Sequence, residues 1–272
     1  MKQLEKFQPQ EQLVIEEVVP KIGWAVRGGD ALEVLKGMKA GSVDMMFTDP
    51  PYGIPISTPI DPDKEARNKH LRAPTPEGLS TTRQWVPGDD RADDIIQAFL
   101  PEVARLLRPG GVLCCCCGGG GGAGGKDPTF ATWSLWMAHT PGLQFMQMVV
   151  WDKGPMGLGW RYRRSYEVVL VVAKKGEPMR WFDSSNKIEN VLRHIKKAPR
   201  NENTHPAEKP VALAAHFIGL HTEPGDTVVD PFCGCGSTGV AALRAGRSFI
   251  GVEIHPPYVQ EAERRLRLEQ SS

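Results

Sequence analysis

The sequence predicts an α/β fold: a doubly wound, mostly parallel sheet of seven strands with one antiparallel strand at an edge. Short apolar runs alternate with segments of helical periodicity, which is typical of a parallel sheet covered by helices. The chain has 272 residues, enough for one large sheet with helices on both faces. Two of the apolar runs have no helix-length segment between them, which predicts a hairpin and hence one reversed strand.

The predicted strands and helices extend over residues 22–268. Strands are predicted at 22–27, 43–48, 111–117, 145–152, 166–173, 226–230 and 248–253. Helices are predicted at 31–38, 92–107, 130–139, 208–220, 238–245 and 257–268. The hairpin joins the strands at 145–152 and 166–173.

Three segments interrupt this alternation. Residues 53–91 are rich in proline and mixed in charge, which predicts a long mobile loop. Residues 118–125 are almost all glycine and hold no fixed structure by themselves. Residues 176–204 form a predicted basic insert, since five Lys and Arg oppose one Glu between positions 187 and 200.

Composition and charge exclude several classes of protein. Hydrophobic residues make up 40% and charged residues 24% of the chain, which excludes collagen, a coiled coil and wholesale disorder. The net charge of +1 excludes a protein that binds nucleic acid by bulk charge, but permits a local basic face. Residues 1–12 lack the apolar core of a signal sequence, and no apolar run approaches the ~18 residues of a membrane span. A soluble cytoplasmic protein is expected.

The six cysteines predict no metal site. Cys114–Cys117 are consecutive, so on a strand they point alternately to opposite faces and cannot converge on one ion. We interpret this run as a buried apolar strand of a protein in a reducing compartment. The other two, Cys233 and Cys235, lie in a glycine-rich turn.

This glycine-rich turn follows the predicted strand 226–230. Gly234, Gly236 and Gly239 fit the pattern G-x-G-x-x-G in its strand-turn-helix setting. Glycine lets the backbone approach a ligand closely, and the following helix presents free N–H groups to an anion. The next strand ends at Glu253, whose carboxylate can accept hydrogen bonds from both hydroxyls of a ribose. A nucleoside-bearing cofactor is therefore predicted.

The position of the glycine turn discriminates between cofactors. A dinucleotide dehydrogenase normally has several more strand-helix units after such a turn, whereas 19 residues follow Glu253. Strands from earlier in the chain must therefore complete the sheet. We predict a single domain in which residues 22–175 form one half and residues 205–268 form the cofactor-binding half.

A second constellation, Asp49-Pro50-Pro51-Tyr52, follows the predicted strand 43–48. Ligands of open α/β sheets bind at the carboxyl ends of the strands, so this turn and the glycine turn should face one crevice. The prolines stiffen the loop, which fixes the Asp49 carboxylate and the Pro50 carbonyl as acceptors beside the Tyr52 ring. Two acceptors beside an aromatic face suit the exocyclic amino group of a planar base.

With these two motifs, residues 22–268 resemble the amino-methyltransferases of DNA, which modify adenine N6 or cytosine N4. The order, with D-P-P-Y before the S-adenosyl-methionine motif, is the permuted β-class arrangement. The resemblance implies the Rossmann-like class I methyltransferase fold, S-adenosyl-L-methionine as cofactor, and a catalytic half at 22–175. It implies catalytic roles for Asp49, Pro50, Pro51 and Tyr52. It implies cofactor contacts for Asp230, Pro231, Phe232, Gly234, Gly236, Ser237, Thr238, Glu253, Lys209, Asp30 and Ala31.

Two basic segments are candidates for DNA contact. Arg161, Arg163 and Arg164 lie in the predicted hairpin turn among aromatic residues, a mixture suited to phosphate contact and stacking. Arg193, Lys196 and Lys197 lie in the predicted basic insert, a possible target-recognition segment. Solvated surface charge is the alternative interpretation for both segments.

The leading functional hypothesis is methylation of adenine N6 in double-stranded DNA after base flipping. Cytosine N4 is the nearest alternative, because both bases offer the same amino group; Asp before Pro-Pro favours adenine by resemblance. An RNA or protein methyltransferase and a catalytically silent binding module are more remote, and intact Asp49 and Tyr52 oppose the silent module. A homodimer and a cognate restriction enzyme in a prokaryotic or phage-host cytoplasm are open possibilities.

Overall fold

The computed structural model describes residues 23–52, 91–117, 129–155, 165–196 and 208–271. The strands are β1 (Trp24–Gly28), β2 (Val43–Thr48), β3 (Leu107–Cys117), β4 (Leu143–Asp152), β5 (Tyr166–Lys174), β6 (Val191–Leu192), β7 (Thr227–Asp230) and β8 (Ser248–Glu253). The helices are α1 (Ala31–Lys36), α2 (Ala92–Leu106), α3 (Thr129–His139), α4 (Val211–His221), α5 (Ser237–Arg244) and α6 (Pro256–Gln270). Every strand and helix predicted from the sequence is present, with ends that differ by a few residues.

The strands form one sheet in the order β1-β8-β7-β2-β3-β5-β4-β6. Neighbouring strands are parallel except at β5, which runs antiparallel to both β3 and β4. The predicted mostly parallel α/β fold is confirmed. Two details of the prediction are wrong: the sheet has eight strands rather than seven, and the reversed strand lies inside the sheet rather than at an edge.

Both differences have a physical reason. β6 has two residues, too few for any alternation pattern, and it lies within the predicted basic insert, where it pairs with β4. β5 is buried continuously from Val168 to Ala173, as expected of a strand with neighbours on both sides, whereas β4 alternates with exposed glutamines and methionines. The apolar strand of the hairpin therefore pairs with β3.

The sheet separates two apolar cores. One packs beneath α1, α2 and α3, and the other beneath α4, α5 and α6. The consecutive cysteines alternate between the cores as predicted: Cys115 and Cys117 lie in the first, Cys114 and Cys116 in the second. Burial raises the pKa of the Cys114, Cys116 and Cys117 thiols, which keeps them neutral.

The segment before α4 departs from its predicted helical structure. The helix predicted at 208–220 begins at Val211, because Pro210 takes an extended conformation (φ −59°, ψ 138°) at the N-cap. Glu208 and Lys209 therefore precede the helix. This leaves the Lys209 side chain free to reach the carboxyl ends of the strands.

β2 lies at the centre of this arrangement, between β7 and β3. Because the three strands are parallel, the turns that follow β2 and β7 meet at one edge of the sheet. The glycine run 118–125 and residues 53–90 of the predicted loop lie outside the described residues. Within the described part of the chain, no helix is long and apolar enough to cross a membrane.

Candidate active site

The carboxylate of Asp230 holds together the turn after β7. Its Oδ1 accepts hydrogen bonds from the Thr48 hydroxyl (2.8 Å) and the Phe232 N–H (3.1 Å), and its Oδ2 accepts one from the Thr238 hydroxyl (2.6 Å). Burial raises the pKa of Asp230 to about 6, although these three donors favour the ionised form. Asp230 thus joins the ends of β7 and β2 to the start of α5. Its predicted contact with a cofactor stays a prediction.

The glycines of the turn have different physical roles. Gly234 and Gly236 have φ angles of +50° and +79°, which favour glycine. A Cβ on Gly234 would meet nothing within 4 Å, so the backbone there faces open space. A Cβ on Gly239 would lie 2.6 Å from the Phe249 ring, so Gly239 permits the close approach of α5 to β8. Of these glycines, Gly234 is the one placed to face a ligand.

The other predicted residues of this turn are packed into the protein. Pro231, Ser237 and Thr238 are buried. Phe232 is partly exposed and meets Phe99 of α2 edge-on, with ring centroids 5.9 Å apart. These packed residues make the turn a rigid platform beneath Gly234.

Glu253, the last residue of β8, supports the glycine turn from the neighbouring strand. Its Oε2 accepts a hydrogen bond from the Gly234 N–H at 3.0 Å, and its Oε1 accepts one from the His255 N–H at 2.8 Å. Burial raises the pKa of Glu253, and the backbone N–H groups oppose this rise. Each oxygen keeps a second lone pair, so the carboxylate can also accept hydrogen bonds from ligand hydroxyls.

Asp30 and Ala31 lie near Glu253, because Gly28 at the end of β1 is the register partner of Glu253. The Asp30 Oδ1 caps α1 by accepting hydrogen bonds of 2.8 and 3.2 Å from two backbone N–H groups of its first turn. Asp30 is exposed and Ala31 is buried. The structure thus brings these residues to the same end of the sheet as the glycine turn, as predicted.

Asp49, Pro50, Pro51 and Tyr52 follow β2 directly. The two prolines are buried, whereas Asp49 and Tyr52 are partly exposed. The Tyr52 ring lies 6.4 Å from the Trp133 ring of α3, between centroids. The Lys209 ammonium lies 5.3 Å from the Tyr52 centroid.

Lys209 connects the two halves of the site. Its Nζ lies 2.5 Å from Asp49 Oδ2 and 3.4 Å from Glu167 Oε2, and the Lys209 side chain is 8% exposed. Burial alone would lower the pKa of Lys209, but the two carboxylates outweigh it, so the pKa is raised and the ammonium stays charged. Burial raises the pKa of Asp49 to about 6 against the opposing charge of Lys209. Asp49 Oδ1 is buried and has no hydrogen-bond partner among the described residues.

Sequence reasoning missed three charged residues of this region. Lys153 and Glu167 lie at the open end of the β4–β5 hairpin, with Lys153 Nζ 2.6 Å from Glu167 Oε1. Glu208 Oε1 pairs with Arg265 Nη1 of α6 at 2.6 Å. Glutamate beside the lysine of the lead-in, and opposite charges at paired hairpin positions, were the available signals.

The residues present fit an S-adenosyl-L-methionine molecule. Glu253 offers acceptors for a ribose, and the backbone above Gly234 is open. Glu208 Oε2 is buried without a hydrogen-bond partner among the described residues, which suits a ligand ammonium group. These acceptors lie on the two segments, the glycine turn and the lead-in to α4, that Arg265 links by also donating to the Cys235 carbonyl at 3.0 Å.

The predicted DNA-contacting residues are only partly within the described structure. Arg193 and Lys196 are exposed, just beyond β6, and Arg193 pairs with Glu189 at 3.2 Å. Arg161, Arg163, Arg164 and Lys197 lie outside the described residues. Their contact with DNA stays a prediction.

The fold and the site together define a class of enzyme. A glycine turn for a nucleoside cofactor and a turn that offers acceptors to an amino group, side by side on a mostly parallel sheet, are the parts of an amino-group methyltransferase. The family described as DNA methylase, of the N6/N4 methyltransferase type, matches residues 43–264, and the chain belongs to it. The protein is thus an S-adenosyl-L-methionine-dependent DNA methyltransferase, and the resemblance seen in the sequence is confirmed.

Individual relatives agree with the family assignment. DNA adenine methyltransferase YhdJ of Escherichia coli K12 is 28% identical over 261 residues, which cover 88% of this chain and 81% of YhdJ. Type II methyltransferase M.HhaII of Haemophilus parahaemolyticus is 26% identical over 226 residues, which cover 83% of this chain and 88% of M.HhaII.

Solved structures show the same fold. The S-adenosyl-L-methionine complex of TTHA0409 from Thermus thermophilus matches with a TM-score of 0.64 and 24% identity, over 91% of this chain and 96% of that chain. The cytosine-N4-specific PvuII DNA methyltransferase matches with a TM-score of 0.68 and 21% identity, over 89% of this chain and 86% of that chain.

Proposed function

We propose that this methyltransferase modifies adenine N6 of a base flipped out of double-stranded DNA. One observation carries the proposal: Asp49 Oδ1 is a buried acceptor without a partner among the described residues, while Oδ2 is held by Lys209. It lies beside the Tyr52 ring, at the sheet edge shared with the glycine turn. This is an acceptor placed for an amino group on a stacked base.

The residues around Asp49 prepare the amine for transfer. Asp49 Oδ1 accepts one N–H of the amine and the Pro50 carbonyl accepts the other, which localises the nitrogen lone pair and makes it a better nucleophile. Tyr52 stacks on the base, and its contact with Trp133 limits the movement of the ring. When bound, S-adenosyl-L-methionine supplies the electrophilic sulfonium methyl group. The amine nitrogen must lose one proton, and Asp49, with a pKa of about 6, is the adjacent carboxylate that can accept it near neutral pH.

The cofactor is held by the residues already placed at the glycine turn. Glu253 binds the ribose hydroxyls with the lone pairs that its two N–H contacts leave over, and Glu208 Oε2 receives the ammonium of the methionine moiety. Asp30 and Ala31 lie beside the nucleoside. The remaining contacts proposed for the glycine turn are those of Asp230, Pro231, Phe232, Gly234, Gly236, Ser237 and Thr238.

Adenine is favoured over cytosine by two observations. The residue before Pro-Pro is Asp49, and the relative YhdJ is named as a DNA adenine methyltransferase. Cytosine N4 is the second candidate, because the PvuII enzyme with the same fold is cytosine-N4-specific and both amines suit the same acceptors. The name of M.HhaII supports a restriction–modification setting with a cognate restriction enzyme, and we place the enzyme in a bacterial or phage-host cytoplasm, as a possible homodimer.

Nucleoside analysis of DNA from expressing cells tests the proposal. Plasmid DNA from a methylation-deficient bacterial host should contain N6-methyladenine when the wild-type protein is expressed. It should contain none when Asp49→Ala is expressed at the same level. N4-methylcytosine would show the alternative base, and unmodified DNA from cells with folded wild-type protein would contradict both.

A further inference from the structure

Four charged side chains of alternating sign lead from the hairpin to the catalytic turn. Lys153 Nζ lies 2.6 Å from Glu167 Oε1, Glu167 Oε2 lies 3.4 Å from Lys209 Nζ, and Lys209 Nζ lies 2.5 Å from Asp49 Oδ2. The four residues come from four segments: the end of β4, the start of β5, the lead-in to α4 and the turn after β2. No two of these segments adjoin in sequence, so the array is a product of the fold.

The fold itself does not require a glutamate at position 167. The residues that follow it on β5 are apolar and buried, and the Glu167 side chain is only 21% exposed. Burying a carboxylate is unfavourable unless cations compensate it. Burial raises the pKa of Glu167, but Lys209 and Lys153 outweigh this effect and lower it, so the group is an anion.

Glu167 also restricts where the Lys209 ammonium can lie. An ammonium next to a single carboxylate can shift between the two oxygens, because it is a compact charge on a flexible stem. Glu167 draws Lys209 Nζ from the hairpin side, so that the contact falls on Asp49 Oδ2 and leaves Oδ1 free of protein donors among the described residues. Lys153 in turn fixes Glu167.

We propose that Glu167 is a positioning residue of the methyl-transfer reaction: together with Lys153 it holds Lys209 on Asp49 Oδ2 and thereby presents Oδ1 to the substrate amine. The inference rests on the proposed function, in which Asp49 accepts the amine N–H. Glu167 does not touch the reacting atoms, and it acts through Lys209.

The charges around Asp49 determine the sign of the expected effect. Lys209 lowers the pKa of Asp49, whereas the negative charges of Glu167 and Asp230 raise it. The thiols of Cys116 and Cys117 on β3 are kept neutral by burial and add no charge. Removing the charge of Glu167 should therefore lower the pKa of Asp49. Removing Lys153 should raise it, because Glu167 then competes more strongly for Lys209.

The test uses the variants Glu167→Gln and Lys153→Met with two readouts. The first is the titration of Asp49 in the cofactor-free protein, followed by NMR of ¹³C-labelled aspartate and assigned by its loss in Asp49→Asn. The second is the pH dependence of single-turnover methyl transfer at saturating S-adenosyl-L-methionine. We expect the Asp49 titration and the acid limb of the rate profile to move to lower pH in Glu167→Gln and to higher pH in Lys153→Met.

Glu269→Gln provides a matched control. Glu269 is 22% exposed and pairs with Arg244 at 2.5 Å, at the end of α5 remote from the glycine turn, so its variant should leave both readouts unchanged. Rate profiles that are scaled down but not shifted, with an unmoved Asp49 titration, would show a purely structural role and overturn the inference. If Glu167→Gln does not fold, the direction of the shift in Lys153→Met decides. Wild-type protein that transfers no methyl group to DNA would contradict the proposed function, whereas the NMR titration still tests the positioning.

Discussion

The Thr48 hydroxyl donates a 2.8 Å hydrogen bond to Asp230 Oδ1, across 182 residues of sequence. Thr48 is the last residue of β2 and directly precedes the catalytic turn, while Asp230 begins the glycine turn. The bond is buried, so it is protected from competition by water. The two turns are therefore fixed relative to each other before any ligand binds.

The burial of Asp230 predicts a pH dependence of stability. Its folded-state pKa is raised from 3.8 to about 6, so its contribution is fully present below pH 3.8 and is lost as the pH rises through 6. Asp230→Asn removes this titration and keeps an acceptor oxygen. Between about pH 3.5 and 7, the free energy of unfolding of the wild type should fall relative to that of the variant by about 3 kcal/mol. Urea unfolding at a series of pH values measures the difference; a constant difference would contradict the raised pKa.

Gly239→Ala should destabilise the protein by about 1–3 kcal/mol, because the added Cβ would lie 2.6 Å from the Phe249 ring and 2.7 Å from Leu266. Gly219→Ala is the matched control on α4. Nothing lies within 4 Å of a Cβ at position 219, so this variant should be stabilised by about 0.5–1 kcal/mol. Chemical denaturation of both variants tests the pair. Equal effects at the two positions would show that helix propensity, rather than packing, decides the result.

Asp49→Ala should abolish methyl transfer and leave cofactor affinity within a few-fold of wild type, because the carboxylate serves the substrate amine. The wild-type rate should rise with pH through about 6 as Asp49 ionises, since only the anion is a full acceptor. Single-turnover rates and calorimetric titration with S-adenosyl-L-methionine measure the two effects separately. Transfer within a few-fold of wild type would overturn the assignment of Asp49.

Glu253→Ala should weaken the binding of S-adenosyl-L-methionine by about 1–3 kcal/mol, or roughly 5–150-fold, through loss of the acceptors for the ribose. Glu253→Gln keeps one acceptor oxygen and should lose less. Calorimetry on both variants gives the affinities, and circular dichroism checks that the domain remains folded without the Gly234 contact. Unchanged affinity in Glu253→Ala would mean that another residue holds the ribose.

The predicted DNA contact near β6 can be tested by salt dependence. The double variant Arg193→Ala/Lys196→Ala should bind DNA more weakly and lower the log–log salt slope by about 2, which is about 1 per phosphate contact. Arg264→Ala/Arg267→Ala is a control of equal charge change on exposed positions of α6. Fluorescence anisotropy at several salt concentrations gives the slopes. The same slope change in both double variants would indicate bulk charge rather than contact.

Some of this site could be predicted from sequence because the signals are local. The Asp49 turn and the glycine turn each follow an apolar strand, and parallel strands end at one edge, so their meeting followed from the strand-helix alternation. The ion pairs of Lys209 could not be predicted in this way, because they depend on Pro210 delaying the start of α4 and on β5 pairing with β3. The two-residue β6 carries no pattern at all.

The strand order also has a consequence for synthesis on the ribosome. β1 pairs within the sheet only with β8, and β2 gains its second neighbour only when β7 is made. A nascent chain that has emerged through β5 therefore carries an apolar strand, β2, with one open edge that can pair wrongly with other chains. It also carries Asp49 without Lys209 or the glycine turn. Translation of the segment from Glu208 to Glu253 closes that edge and creates the catalytic centre in the same event.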